Sequence, residues 1–139
     1  LMSPVLDAVP GASAATPAPA APGATGQAIA WEAWSDRRVD EALAEGRPVF
    51  VDFTAAWCVS CQANKKLVLE RDAVVEAMRA RRVVALRADW TQRDPAITAA
   101  LARHGRNGVP LYLVFRPGVP EPAVLPELLT VATVVDALR

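Results

Sequence analysis

The sequence predicts an α/β fold of three layers, a mixed β-sheet covered by helices on both faces. Three observations carry this. The runs RPVFVDFTA, VVALRAD and LYLVF are rich in β-branched and aromatic residues, as buried strands are, and stretches of helical period separate them. A hairpin-like pair and a terminal helix close the chain, the arrangement expected when helices pack on both sides of one sheet. Finally, 139 residues suffice for one domain with its own core, so folding does not require disulfide staples.

Taken in order, residues 1–27 are rich in Ala, Pro, Gly, Ser and Thr and have little apolar bulk to bury. They are expected to form a flexible, partly extended linker, with the folded domain occupying 28–139. AIAWEAWS predicts a short first strand or extended arm. Asp36 to Glu45 has helical spacing of Val39, Ala42 and Leu43 before a stop at Gly46. The central strand RPVFVDFTA follows. Helices are expected from Cys58 to about Glu70 and from Asp72, read as an N-cap, to about Arg81. VVALRAD is a second buried strand ending at Asp89. Asp94-Pro95, a cap followed by a first-turn proline, opens a helix that closes at Gly105. Leu111 to Phe115 is the third core strand, an edge strand is placed near Ala123 to Leu125, and Thr130 caps the last helix.

Charge excludes some functions. Fifteen basic and fifteen acidic residues cancel, so no global field draws nucleic acid or an anionic membrane surface. The uncharged stretch from Ala8 to Trp31 is interrupted by Pro10, Pro17, Pro19 and Pro22 and has almost no large aliphatic residues, unlike a membrane-spanning helix. The N-terminus has no basic and apolar signal pattern and reads as a tether joining this domain to a longer protein.

Both cysteines of the chain, Cys58 and Cys61, lie in VDFTAAWCVSC, immediately after the central strand. A thiol attacks as thiolate, and a helix N-terminus favours that anion through unpaired N–H groups and its dipole. Cys61, about one helical turn on, can close a small disulfide ring with Cys58 and resolve a mixed disulfide formed there. Competing readings are weaker. A disulfide across so short a loop constrains the unfolded chain little, and a closed zinc site needs about four ligands where the chain offers Cys58, Cys61 and the lone His104. C-x-x-C beside a βαβ pattern points to redox chemistry.

With FVDFTAAWCVSC and the later GVP at Gly108 to Pro110, the segment from about Ile29 to Arg139 resembles the thioredoxin superfamily. Within it, AAWCVSCQANKKLVL, RADWT and GVPLYLVF are similar to the C-terminal periplasmic domains of the DsbD family of transmembrane thiol:disulfide interchange proteins. The resemblance implies a thioredoxin fold and a protein-disulfide reductase whose redox group is the Cys58/Cys61 pair, without metal or other cofactor. Electrons would come from a membrane-embedded domain of the same polypeptide. They would pass to an N-terminal periplasmic domain or other periplasmic thiol-disulfide proteins, including those of cytochrome c maturation. The expected location is the periplasmic side of the bacterial inner membrane, with the isolated domain monomeric.

The same resemblance assigns roles. Cys58 is the solvent-accessible attacking cysteine and Cys61 the resolving one. Asp52, six positions before Cys58, matches a buried acid that exchanges protons with the resolving thiol; without the resemblance, it reads as a strand acid satisfied by polar neighbours. Trp57 shapes the surface beside the thiol, a role compatible with its also being a half-buried core aromatic. Pro110 matches a cis-proline loop facing the disulfide, and Val109 offers backbone groups to an incoming peptide. Val59-Ser60 between the cysteines departs from both Gly-Pro of thioredoxin and Pro-His of the oxidant DsbA, and without a histidine there the pair is expected to donate electrons. Lys65 stands where some relatives carry a glutamate, and with Lys66 it reads as a solvated helix face. Two rivals stay open: a stand-alone or anchored reductase for one client such as apocytochrome c, and a C-x-x-C metal-binding module.

Overall fold

Strands as apolar as VFVDF and LYLVF leave neither sheet face suited to water, so both faces must be covered. The computed structural model describes residues 28–139; the linker expected over residues 1–27 lies outside the described residues. The elements run β1 (Glu32–Ala33), α1 (Asp36–Ala44), β2 (Val49–Thr54), α2 (Val59–Asn64), a π-helical turn (Lys65–Leu69), α3 (Asp72–Ala80), β3 (Val84–Asp89), α4 (Pro95–Arg103), β4 (Leu111–Phe115), β5 (Ala123–Val124) and α5 (Val131–Ala137). One mixed sheet has the order β1-β3-β2-β4-β5. β1 and β2 run parallel to β3, whereas β2–β4 and β4–β5 are antiparallel pairs.

Side chains alternate along each strand, and the alternation sorts the core into two layers. Val49, Val51 and Phe53 join Val84, Leu86, Ala88, Leu111 and Leu113 against Val39 and Ala42 of α1 and Ile97, Ala100 and Leu101 of α4. Phe50, Ala85, Tyr112 and Val114 point the opposite way, onto Val68 and Leu69 of the π turn, Val74 and Met78 of α3, and Val134 of α5. This is the three-layered thioredoxin-like architecture.

The helix starts follow from local chemistry. Ser35 caps α1 by accepting from Arg38 N at 3.0 Å, and Asp94 caps α4 by accepting from Ala96 N at 2.8 Å and Ile97 N at 3.2 Å. Thr130 caps α5 through a bond from Thr133 N at 3.0 Å. One cap differs from expectation. Arg71, in extended backbone and without a side-chain cap bond, holds the position before α3, and Asp72 is the first helical residue. The π turn takes up an extra residue before the chain leaves it, and Asp72 then contributes only its charge to the first turn of α3, where the dipole favours it.

Candidate functional site: a disulfide at the β2–α2 junction

β2 ends at Thr54, and the chain turns sharply into α2. Cys58 N donates to Ala55 O at 3.1 Å, and Gln62 Nε2 reaches back to the same carbonyl at 3.1 Å, so the first turn of α2 closes over the loop. The loop after β3 clips it from the side: Ala56 N donates to Thr91 Oγ1 at 2.8 Å, and Trp57 Nε1 to Thr91 O at 3.1 Å. Cys58 is thereby held as the N-cap residue of α2.

Cys58 and Cys61 form a disulfide, with their Cα atoms 5.2 Å apart. Cys61 N donates to Cys58 Sγ at 3.2 Å, and the Ser60 hydroxyl lies 3.7 Å from the same sulfur. Both groups would stabilise negative charge on Cys58 after reduction. Cys58, expected to be the solvent-accessible cysteine of the pair, is 7% exposed, against 3% for Cys61. The cause is Val109, which packs against the small cluster of Ala55, Cys58 and Cys61. The Val109–Pro110 peptide bond is cis, and buried Pro110 leads directly into β4. Trp57 is 48% exposed beside the disulfide and packs on Trp90 with the two rings tilted by 54°. The structure thus gathers Cys58, Cys61 and Val109 into one cluster; Trp57 and Pro110 are the chain neighbours of Cys58 and Val109.

Asp52 lies deeper, in the middle of β2, opposite Arg87 on β3 and Tyr112 on β4. Arg87 donates from Nε to Asp52 Oδ2 at 3.1 Å, and its second terminal nitrogen is equally close. Asp52 Oδ1 is buried without a hydrogen-bond partner. With Oδ2 turned to Arg87 and Oδ1 unpartnered, the carboxyl makes no direct hydrogen bond to either sulfur. Burial pushes its pKa up to about 6, and the opposing charges of Arg87 and Lys65 offset only part of that rise. The Tyr112 hydroxyl is also pushed up, by burial and then by the Asp52 charge.

Several members of this polar layer carry no distinguishing mark in the sequence. Asn64, buried at the end of α2, donates to Tyr112 Oη at 2.9 Å and Glu127 O at 2.7 Å, and accepts from Leu129 N at 3.1 Å. The Arg87 guanidinium lies 4.0 Å over the Trp31 ring. Lys65 departs from the solvated face expected for it. Lys66 is exposed, but Lys65 is half-buried, and its charge acts on Asp52. Lys65 and Arg87, with Thr54, Gln62 and Asp89, line an open pocket of about 310 Å³. In the sequence, the charge of Arg87 inside an apolar strand run is the mark of this layer.

Comparison with known proteins agrees with this geometry. A family model described as "Thioredoxin-like" matches residues 30–117. Thiol:disulfide interchange protein DsbD 1 of Pseudomonas aeruginosa is 39% identical over 85 residues, covering 58% of this chain and 14% of that protein. DsbD of Ralstonia nicotianae is 42% identical over 80 residues, covering 58% of this chain and 13% of that protein. This chain therefore spans about 14% of the length of the curated relatives it matches. The reduced DsbD C-terminal domain of Neisseria meningitidis superposes with a TM-score of 0.61 at 27% identity, covering 73% of this chain and 89% of that one. A Thermus thermophilus thioredoxin, 22% identical, shares the fold with a TM-score of 0.63 over 81% of this chain and 85% of its own. With a paired Cys58–Cys61 at the start of α2, a mixed sheet between two helical layers and a family match over residues 30–117, the chain belongs to the thioredoxin-like family.

Proposed function

We propose that this chain is the electron-donating thiol:disulfide exchange domain of a DsbD-type reductase. The observation that carries the reading is the Cys58–Cys61 pair itself: an N-cap cysteine whose sulfur accepts the Cys61 N–H, bonded to a partner one turn along the same helix. In the reduced domain the Cys58 thiolate attacks a disulfide of the partner protein. A Cys58–partner bond forms, and the partner's other sulfur leaves as thiolate. Cys61 then loses its proton and attacks Cys58, which restores the intramolecular disulfide and releases the partner as a dithiol, reduced by two electrons.

Asp52 is the proposed base for the Cys61 proton. Its raised pKa suits a group that exchanges protons near neutrality, and the open pocket lined by Lys65 and Arg87 offers water access to its neighbourhood. Trp57, Val109 and Pro110 would border the partner's chain as it approaches Cys58. The redox group is the cysteine pair, with no further cofactor. Electrons would be supplied by a membrane-embedded domain of the same polypeptide and passed to periplasmic thiol-disulfide proteins, placing the domain on the periplasmic side of the membrane. Among the described residues, no helix is long and apolar enough to cross a membrane.

Trapping tests this directly. Cys61→Ser should accumulate mixed disulfides through Cys58 when the reduced protein meets disulfide-containing partners, and Cys58→Ser should accumulate none. Trapping through Cys61 would reverse the assigned roles. In redox buffers the couple should equilibrate near or below roughly −200 mV; a value near about −120 mV would make the domain an oxidant.

A further inference from the structure

The loop joining β3 to α4 carries an arginine with an unusual seat. Arg93 has a φ of +55°, a left-handed conformation that side chains rarely adopt, and its N–H closes a turn onto Trp90 O at 2.9 Å. Its guanidinium carbon lies 4.9 Å from the ring centroids of both Trp57 and Trp90. Those rings are fixed from below: Trp57 Nε1 is bonded to Thr91 O, and Trp90 Nε1 donates to Thr98 Oγ1 at 2.8 Å. Trp57 is also the residue immediately before Cys58.

The guanidinium is held by aromatic faces, and among the described residues none of its donors is hydrogen-bonded. Among the described residues Arg93 makes only the two ring contacts through its side chain, and it is exposed. Arg38, Arg87, Arg103 and Arg106, by contrast, all pair with carboxylates of this chain. The acids next to Arg93 in sequence are engaged elsewhere, Asp89 with Thr91 and Asp94 with the first amides of α4. A planar cation stacked on rings keeps its N–H edge free, and that edge matches a carboxylate in two-point geometry.

We propose that Arg93, seated on Trp57 and Trp90 beside Cys58, is a specificity contact that binds an Asp or Glu side chain flanking the disulfide of the partner protein. This rests on the exchange reading of Cys58 and Cys61. It adds a charge preference to a surface that Trp57 alone would leave apolar. Such a contact accelerates productive encounter with acidic partners and loses effect as salt screens it.

The test uses the reduced 139-residue chain and two synthetic disulfide peptides identical except for Glu or Gln beside the attacked cysteine, the substitution being placed on each side in turn. The readout is the Glu-to-Gln ratio of second-order rate constants. At low salt this ratio should be about three- to fivefold higher for the wild type than for Arg93→Met and Arg93→Gln, as expected for one exposed charge-assisted pair. The excess should vanish at about 1 M salt. Equal ratios in wild type and variants at low salt, or an excess that salt leaves unchanged, would overturn the role of Arg93. Exchange of the wild type with neutral bis(2-hydroxyethyl) disulfide reads the cysteine chemistry separately. If that reaction is absent, the exchange reading and the Arg93 proposal both fall; if it is present with equal peptide ratios, only the Arg93 proposal does.

Discussion

The two faces of the central sheet are built from the same three strands and differ in one respect. Among the described residues, the buried side chains of the face under α1 and α4 are apolar, from Val49 and Phe53 to Leu101 and Leu113. The face under α2, the π turn, α3 and α5 holds Phe50, Met78 and Leu129, but also Asp52 and Asn64, the buried polar residues among those described. Successive residues of β2 thus serve different ends: Val51 and Phe53 look toward the apolar layer, and Asp52 between them looks toward the layer that carries the cysteines' helix. Burying a carboxyl costs stability that an apolar side chain would not. That cost is confined to one face, and the other face can absorb it.

Predictions follow from breaking each face in turn. The largest stability effect should come from the apolar side. Leu113→Ala removes a side chain only 1% exposed and should cost about 3 kcal/mol or more in denaturant unfolding, while the exchange rate per folded molecule stays within about twofold. A large fall in exchange rate would show that the faces are not separable.

Asp52→Asn should act in the opposite direction. Its carboxyl rises from 3.8 to about 6 on folding, so the folded state binds the proton more tightly than the unfolded one. The stability associated with the protonated form is fully present below pH 3.8 and is lost as pH rises through about 6. A rise of this size corresponds to roughly 3 kcal/mol at most. The variant should therefore gain on the wild type between those limits, approach that ceiling above pH 7, and show exchange that is slower and lacks an inflection near pH 6. A stability difference that does not vary with pH would remove the ionisation penalty from Asp52. The smallest effect is expected from Asn64→Ala, about 1–2 kcal/mol, because Tyr112 Oη, Glu127 O and Leu129 N lose their bonds to it. A loss above that of Leu113→Ala would make the polar layer the main source of stability.

Much of this organisation is legible in sequence because it is local. The β-branched runs mark β2, β3 and β4, Asp94-Pro95 and Thr130 mark helix starts, and the cysteine spacing marks the site. What is not local does not show. The pairing of Asp52 with Arg87 depends on the register of two parallel strands joined through α2 and α3, and a one-residue slip would turn Arg87 to the other face. The π turn at Lys65–Leu69 has the composition of an ordinary helix, so neither the shifted start of α3 nor the placement of Lys65 near Asp52 can be read from residue type. The modest exposure of Cys58 has the same origin, since Val109 reaches it from a segment distant in sequence.

The Asn64 carboxamide ties the end of α2 to the backbone around Leu129. The Leu129 amide hydrogen is thereby a natural reporter on the redox helix. It can exchange with deuterated solvent only when that clasp opens. Deuterium uptake at this one position, compared between the dithiol and disulfide forms, counts how often the helix and the C-terminal segment part in each half of the catalytic cycle.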